Sequence, residues 1–320
     1  MTTINVNSPA KKPFKKSKLQ AVNAVSPWAN AILHIIFIFF ALCCILPLLI
    51  VVSVSFSSEQ EIIKHGYSIL PRGFTIGAYE FFTQSAQNLG RVYMNTIIAT
   101  LAGSAITVFL VALYAYPLSR RDFRFRNFFT FFNFFTMLFG GGLVPFFIIC
   151  RVLGLYNNLF ALFIPLAFNQ FWVIVMRTFY NTNVPDAVIE SARIDGATET
   201  RTLFQIVMPL AIPGLATVAL FSVINIWNNF FMCLLLTNGQ SDVSNLQYMI
   251  YKVLTSIQYL RDMITSNAAT AGSLGKSLAE LPNQSFRMAM AVVTIGPIIL
   301  AYPFFQKYFV KGLTIGAVKG

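Results

Sequence analysis

Residues 92–119 read VYMNTIIATLAGSAITVFLVALYAYPLS, and no side chain in this stretch carries a charge. A helix that crosses the hydrocarbon core of a bilayer needs about 20 mostly apolar residues, at about 1.5 Å of rise each. The chain contains six charge-free runs of about this size, at 19–58, 92–119, 127–150, 152–176, 202–241 and 288–306. The pattern predicts an all-α integral membrane protein with six transmembrane helices.

The apolar centre of each run predicts where the membrane spans begin and end. The expected spans are 30–55, 93–117, 128–149, 157–176, 211–236 and 288–307. Composition agrees, because 56% of the residues are hydrophobic and only 11% are charged, against about 25% charged in an ordinary soluble domain. A disordered chain and an ordinary soluble enzyme are therefore excluded. The glycine triplet 140–142 should break the third span, which is tolerated where backbone is buried or lines a cavity.

The distribution of basic residues predicts the orientation of the spans. An even number of spans leaves both termini on one side of the membrane. If that side is the cytoplasm, the inside segments hold 15 of the 23 lysines and arginines, including the short loop 118–127. This asymmetry follows the positive-inside rule and predicts that both termini are cytoplasmic. The net charge of +12 is then a property of membrane topology, and no nucleic-acid partner is expected.

This topology divides the chain into a membrane core and its flanking segments. The expected parts are a basic cytoplasmic tail 1–27, a first transmembrane helix 28–56, an extracellular segment 57–91, a core 92–308 and a cytoplasmic tail 309–320. Within the core lie a cytoplasmic loop 177–210 and an extracellular loop 237–287, the latter with an amphipathic helix near 244–260. No cytoplasmic segment is large enough to bind a nucleotide, and no catalytic set or metal-binding spacing is present. We therefore expect no enzyme activity, no catalytic residue, no metal site and no cofactor in this chain.

The cytoplasmic loop predicts two short helices. Asn183 is placed to cap the first, which should run to about Asp195. Gly196 should follow it in the left-handed conformation that glycine adopts at little cost, and a second helix should start near Thr198. The first helix offers apolar contacts and polar contacts to a partner. The apolar contacts would come from Ala187, Ile189, Ala192 and Ile194, and the polar ones from Asp186, Glu190 and Arg193. The alternative is a helix lying on the lipid surface, although the loop holds four of the eleven acidic residues, which would be repelled by an anionic leaflet.

The spacing in this loop resembles a signature of ABC importer permeases. That signature is Glu-Ala-Ala, three residues, Gly, nine residues, then Ile-x-Leu-Pro. It is matched here by Glu190, Ser191, Ala192, Gly196, Ile206, Met208 and Pro209, with Ser and Met as the two replacements. The resemblance implies a type I ABC importer permease fold in which residues 186–199 form a coupling helix that docks on a cytoplasmic ATPase. The coupling residues that it implies are Asp186, Glu190, Ser191, Ala192, Gly196, Ala197 and Pro209.

Other stretches resemble the carbohydrate branch of these importers. Residues 137–145 and 153–157 look like the maltose-type importers, and the tail 302–312 looks like the second permease for complex oligosaccharides, including uronate-bearing ones. The resemblance implies residence in the cell membrane as a multi-pass heterodimer with a second permease. It also implies two ABC ATPase subunits that bind ATP and Mg²⁺, an extracellular sugar-binding protein and an oligosaccharide substrate. The alternatives are a permease for a peptide or polyamine, a self-sufficient carrier or channel, and a membrane enzyme.

Polar residues within the apolar runs are candidates for a sugar path. Asn225, Asn228 and Asn229 would share one face of a continuous fifth helix, with Trp227 pointing elsewhere. Asn169, Gln170 and Trp172 form a weaker group in the fourth span. Sugars present hydroxyl edges and apolar ring faces, which suit amides and aromatic rings. Contact between neighbouring helices is the alternative role for these side chains. The segment 265–284 is a further candidate for contact with the binding protein.

Overall fold

The computed structural model describes residues 26–85, 89–238, 242–266 and 284–317, and these ranges are helical with no β-strand. The helices are α1 Pro27–Ser55, α2 Glu59–His65, α3 Gly77–Ser85, α4 Leu89–Ser119, α5 Arg126–Leu138, α6 Leu143–Val152, α7 Gln170–Asn183, α8 Asp186–Ile194, α9 Glu199–Thr202, α10 Met208–Leu210, α11 Ile212–Trp227, α12 Phe231–Leu236, α13 Leu246–Ser266 and α14 Gln284–Ala317. The predicted basic tail up to residue 25 and most of the segment 265–284 lie outside the described residues.

The chain divides into two compact units, residues 1–50 and 51–320. The described part of the first unit is α1 up to Ile50, and nearly all of its side chains are exposed although they are apolar. Phe37 and Phe39, for example, are 69% and 63% exposed. A helix that is apolar on every side is typical of a segment surrounded by lipid or buried in a large core.

Within the described part of the chain, two helices, α1 and α4, are each long and apolar enough to cross a membrane by length and composition. Three bent helix pairs would raise the number to five, and the apolar part of α14, Gln284–Leu300, is shorter. The largest bend, 115°, separates α5 from α6 at the glycine triplet. Gly142 has φ +87° there, so the predicted break is confirmed. The six predicted spans and their orientation stay a prediction.

Two predicted spans are not the continuous helices that the sequence suggested. The fourth was expected at 157–176, but residues 159–166 form 3₁₀ turns, and α7 begins only at Gln170 after a bend of 50°. The fifth was expected at 211–236, but α11 ends at Trp227 and α12 begins at Phe231. Both corrections have one cause. At each new helix start an asparagine side chain, Asn169 or Asn229, accepts a hydrogen bond from a backbone N–H of the first turn.

Small side chains allow α4 to lie at the centre of the second unit. Its buried positions recur every three or four residues, as at Thr96, Ala99, Gly103 and Thr107. The Thr96 and Thr107 hydroxyls bond the carbonyls four residues earlier, so these polar groups are satisfied within the helix. Small interfacial residues let helix backbones approach closely in membranes. Helices α7 and α11 accordingly pack along α4.

A buried glutamate joins the segment after α1 to the last helix. Glu59, in the first turn of α2, is 8% exposed. Its carboxylate accepts bonds from the backbone N–H groups of Gln284 (3.0 and 3.1 Å) and Ser285 (3.1 Å), and from the Ser285 hydroxyl (2.9 Å). These are orphan donors at the start of α14, where a negative charge also complements the helix dipole.

Replacement of this carboxylate should destabilise the second unit. We expect Glu59→Ala to cost about 2–3 kcal/mol, because hydrogen bonds to a charged group are lost and buried N–H groups are left unpaired. The measurement is thermal unfolding of the detergent-purified chain. Glu61→Ala is the matched control on the same helix, since His65 is the one described residue that pairs with the Glu61 side chain, in a partly exposed position. Equal shifts in the two variants would show that the bonds to α14 are not important.

Candidate functional site

Helix α8 and the turn after it form the predicted coupling segment. The helix runs from Asp186 to Ile194, and Asp186 lies in its first turn, where a negative charge is favourable. The predicted cap at Asn183 is wrong. Asn183 is the last residue of α7, its side chain donates to the Phe179 carbonyl, and Pro185 occupies the cap position instead. The sequence placed this cap wrongly because α7 extends beyond the predicted end of the fourth span.

The end of α8 is as the sequence predicts. Gly196 has φ +76°, a left-handed conformation in which other residues are strained. The Gly196 N–H donates to the Arg193 carbonyl (3.0 Å) and the Ala197 N–H to the Ala192 carbonyl (2.9 Å), which is the bonding pattern of a Schellman cap. The next helix, α9, starts at Glu199 with Thr198 as its cap, as predicted.

Helix α8 has one buried and one exposed face. Ile189 and Ala192 are 4% and 6% exposed, and Ile189 packs in a cluster with Tyr116 of α4 and Tyr180 of α7. At 100° per residue, the opposite face holds residues that the rest of the chain leaves exposed. These are Ala187, Glu190, Ser191 and Ile194, the last of them 85% exposed.

The predicted contact residues therefore belong to two different surfaces. Ile189 and Ala192 are used within the chain, whereas Ala187 and Ile194 remain available to a partner. Of the polar residues, only Glu190 is directed away from the chain's own loops. The matched Pro209 is exposed in α10, after a π-helical turn at Leu203–Val207 and just before a 79° bend into α11.

The other polar residues of α8 are held by the loop 120–122. Arg120 Nη1 lies 3.5 Å from the Asp186 carboxylate, and Arg193 donates to the Asp122 carboxylate. Arg193 also donates to Glu199 Oε1 through Nε (3.0 Å) and Nη2 (2.7 Å). The Tyr116 hydroxyl donates to Glu199 Oε2 (2.7 Å). We call these six residues the Arg193 network: Tyr116, Arg120, Asp122, Asp186, Arg193 and Glu199.

Hydrogen bonding within the network changes the acidity of its carboxyl groups. The bond from Arg193 lowers the pKa of the Asp122 carboxyl. The pKa of the Glu199 carboxyl is lowered first by the bond from Tyr116 and then by the bond from Arg193. Because both pKa values are lowered from the ordinary values of these groups, the Asp122 and Glu199 carboxyl groups are charged at neutral pH. The contribution of these two carboxylates to folding stability is present above their ordinary pKa values. It is lost as the pH falls through the lowered values.

A cavity of about 380 Å³ opens beside the network. Its apolar wall comes from Pro117, Phe123 and Leu203. The charged groups at its edge are already paired with one another, so the uncommitted part of the lining is apolar.

The predicted sugar-path residues are only partly brought together. Because α11 ends at Trp227, the expectation of one continuous asparagine face is wrong for Asn228 and Asn229. Asn228 is the residue after α11, and its side-chain oxygen accepts a bond from Gln247 (3.3 Å). Asn229 Oδ1 accepts from the Met232 N–H (2.9 Å), so this side chain starts α12.

Asn225 remains a candidate for substrate contact. It is exposed on α11, and no other described residue forms a hydrogen bond with its side chain. One turn earlier on the same face, Phe221 stacks on Trp172 of α7 with ring centroids 4.9 Å apart. Trp227 points elsewhere, as predicted, because it is 5% exposed and donates to the Thr294 carbonyl (3.1 Å).

Two residues of the fourth-span group, Asn169 and Gln170, form hydrogen bonds that support the fold. Asn169 caps α7 by accepting from the Phe171 N–H (3.0 Å), and the Gln170 carbonyl accepts from buried Asn133 (3.2 Å). The Gln170 side chain is half-buried and Trp172 faces α11. Trp172 thus lies near the Asn225 face, whereas Asn169 has a local role.

Sequence reasoning missed the residues that hold α8 from outside the loop. The sequence pattern assigns Tyr116 to the end of the second predicted span, and Arg120 and Asp122 to the basic loop after it. Asp122 is the single acid in that basic loop, which could have suggested an internal ion pair. Its partner Arg193 lies 71 residues away, however, and no local pattern connects the two positions.

Comparison with known proteins gives consistent matches. A family profile described as "Binding-protein-dependent transport system inner membrane component" matches residues 109–315. The chain is 34% identical over 281 residues to the polygalacturonan/rhamnogalacturonan transport system permease protein YtcP of Bacillus subtilis (strain 168), covering 88% of this chain and 94% of that protein. It is 27% identical to the arabinooligosaccharides transport system permease protein AraQ of Halalkalibacterium halodurans, over 92% and 98% of the two chains.

A solved structure is similar over nearly the whole chain. It is the crystal structure of a bacterial ABC transporter involved in the import of the acidic polysaccharide alginate. The matching chain has 29% sequence identity and a TM-score of 0.67, and the match covers 93% of this chain and 100% of that one.

Proposed function

This chain belongs to the family of binding-protein-dependent transport system inner membrane components, and from that premise we propose that it forms half of the translocation pathway of an ATP-driven oligosaccharide importer. Its relatives are carbohydrate transport permeases, and it is a permease subunit of a sugar importer rather than an enzyme. It has the type I ABC permease fold and is an integral membrane protein. The observation that carries the proposal is α8, a helix inside the matched region with one face fixed in the chain and the other uncovered.

The exposed face of α8 is the docking surface for the ATPase. Ala187, Glu190, Ser191 and Ile194 are exposed on one side of the helix. An exposed apolar side chain next to a charged one is typical of a protein interface with an apolar centre and a polar rim. Gly196 and Ala197 shape the turn behind this face. ATP and Mg²⁺ bind to the ATPase partner in this proposal.

The remaining partners follow from the importer architecture. The complex contains a second permease, two ATPase subunits and an extracellular sugar-binding protein, and it resides in the cell membrane. Six spans with both termini in the cytoplasm place loop 177–210 on the ATPase side. The exposed aromatic side chains of α5, such as Phe128 and Phe131 at 63% and 68% exposure, support contact with lipid or with the second permease.

The substrate is an oligosaccharide, and an acidic one is favoured. YtcP is named for transport of polygalacturonan and rhamnogalacturonan, and the solved relative is described as importing an acidic polysaccharide. Asn225 supplies an amide that no other described residue bonds, and the neighbouring Phe221 and Trp172 supply aromatic surface for a sugar ring.

Removal of the Asn225 amide should weaken transport without disturbing assembly. We expect Asn225→Ala to raise the half-saturating sugar concentration by about tenfold, because a hydrogen-bonding contact with the sugar is lost. The measurement is uptake of labelled oligosaccharide by vesicles that contain the complete importer. Asn225→Gln, which retains an amide, should show a smaller effect. Unchanged uptake kinetics in Asn225→Ala would remove this residue from the sugar path.

Isolation of the complex tests the proposed function as a whole. The chain is purified in mild detergent from its native membranes, and co-purifying proteins are identified by mass spectrometry. We expect a second permease and an ATPase with nucleotide-binding motifs, and we expect ATP-dependent sugar uptake after reconstitution with the binding protein. Recovery of this chain alone, stable and monodisperse, would support a self-sufficient carrier or channel instead.

A further inference from the structure

One loop holds both ends of the coupling helix. Arg120 contacts Asp186 in the first turn of α8, and Asp122 contacts Arg193 in its last turn. The loop 120–122 follows directly on α4, which ends at Ser119. Two attachments at opposite ends of a helix restrict its rotation as well as its translation. A single contact near the middle would leave the helix free to pivot.

The network also crosses the turn at Gly196. Arg193 lies before this turn and Glu199 after it, and their two hydrogen bonds of 2.7 and 3.0 Å join the two sides. Glu199 then accepts from Tyr116, whose ring is buried in the last turns of α4. The path from α8 to the α4 helix is therefore continuous: Arg193, Glu199 and Tyr116, with Asp122 as a parallel branch.

Folding alone does not account for this arrangement. Arg193, Asp122 and Glu199 are between 40% and 55% exposed, and exposed ion pairs contribute little to the free energy of folding. The inner face of α8 is already attached through buried Ile189 and Ala192. Apolar packing is non-directional, however, and two apolar side chains do not fix the angle of a nine-residue helix. The ion pairs fix the orientation of α8, which the apolar contacts leave undetermined.

We propose that the Arg193 network is the transmission link between the coupling helix and the second span. It makes α8 and the cytoplasmic end of α4 one rigid unit, so that a displacement of α8 by the ATPase moves α4. Helices α7 and α11 pack along α4, so the movement reaches the Asn225 face. The network residues are positioning residues, since none of them lies on the exposed face of α8 or on the sugar path. This inference rests on the proposed function, in which α8 docks on the ATPase.

The test measures uptake and hydrolysis in the same vesicles. The complete importer is reconstituted with its binding protein, and sugar uptake and ATP hydrolysis are recorded for Arg193→Gln. We expect the ATPase to remain bound and to hydrolyse ATP, while the sugar imported per ATP falls about tenfold, within the usual range of coupling between sites. Arg201→Gln is the matched control. Arg201 lies in α9 but donates to Gln205 (2.9 Å) outside the network. The sugar imported per ATP by the Arg201→Gln variant should therefore equal that of the wild type.

A second variant changes a single bond. Tyr116→Phe keeps the buried ring and removes only the hydroxyl that donates to Glu199, so folding should be preserved. We expect its sugar-to-ATP ratio to fall by about fivefold. In the double variant the two effects should be less than additive, because both residues act through Glu199.

The outcomes separate this inference from the proposed function. An unchanged sugar-to-ATP ratio in Tyr116→Phe and Arg193→Gln would overturn the inference and leave the importer assignment intact, even if both rates declined together. Absence of a co-purifying ATPase or of ATP-dependent uptake in the wild-type complex would overturn the proposed function itself.

Discussion

Glu190→Arg should detach the ATPase or abolish its coupling to transport. Glu190 lies on the exposed face of α8, and no other described residue of this chain forms an ion pair or hydrogen bond with its carboxylate. The substitution therefore leaves the fold of this subunit unchanged and acts on the docking surface alone. Reversal of a charge at the centre of an interface leaves the opposing group unpaired and repelled. We expect a loss on the order of 2–4 kcal/mol of binding free energy, or roughly a thirtyfold or greater loss of affinity.

The measurement is the ratio of ATPase to permease after affinity purification, together with sugar uptake by the reconstituted complex. Glu80→Arg is the matched control, because Glu80 is an exposed helical glutamate on α3, in the segment that we place outside the cell. Ile194→Ala should weaken association in the same direction, since this side chain is 85% exposed beside Glu190. A normal subunit ratio with normal uptake in Glu190→Arg would show that the ATPase does not dock on this face of α8.

Gly103→Leu should strongly destabilise the second unit. A Cβ atom at position 103 would lie 2.7 Å from Ile226 Cδ1 and 2.7 Å from Phe163 Cβ. The first of these atoms can move with its side chain, but Phe163 Cβ is fixed to the backbone and is buried. The backbone segment that carries Phe163 would have to move away from α4 to admit a leucine. Overpacking of this kind typically costs about 1–3 kcal/mol and more where the backbone must shift, so we expect at least about 3 kcal/mol.

The effect can be read as the yield and melting temperature of the detergent-purified chain. Gly90→Leu is the control in the same helix, because no described atom lies within 4 Å of the corresponding Cβ position. Helix propensity alone predicts that replacement of either glycine by a better helix former is mildly stabilising. If Gly103→Leu melted at the same temperature as Gly90→Leu, close packing of α4 on Phe163 and Ile226 would not be essential.

Local rules were sufficient wherever a few neighbouring residues decide the backbone. The charge-free runs indicated a membrane protein because charged groups are costly in lipid. Gly140–Gly142 predicted a break, and Gly196 predicted a left-handed turn, since glycine adopts positive φ at little cost. Both features are present. The helix predicted near 244–260 is also present, as α13, although it extends to Ser266.

Helix ends and side-chain partners were decided by contacts between distant segments. Hydropathy did not show that Asn169 and Asn229 would start new helices, because a polar side chain in an apolar run can serve as a cap, as an interhelical contact or as part of a path. The sequence placed Asp186, Glu190 and Arg193 together as polar contacts for a partner. Within the described residues, Glu190 is the one of the three that has no ion pair or hydrogen bond through its side chain, because Asp186 and Arg193 contact the loop after α4.

By itself, the sequence determined the class of protein, the positions of its apolar segments and the motif of the coupling loop, all of which depend on residues close to one another in the chain. Only the tertiary structure decided which face of α8 is exposed and which residues hold it. It also decided which glycine lies at a close contact and which asparagine forms no hydrogen bond with another described residue. These properties depend on packing between α4, α7, α8 and α11, and the distances between such segments are not encoded in any local pattern.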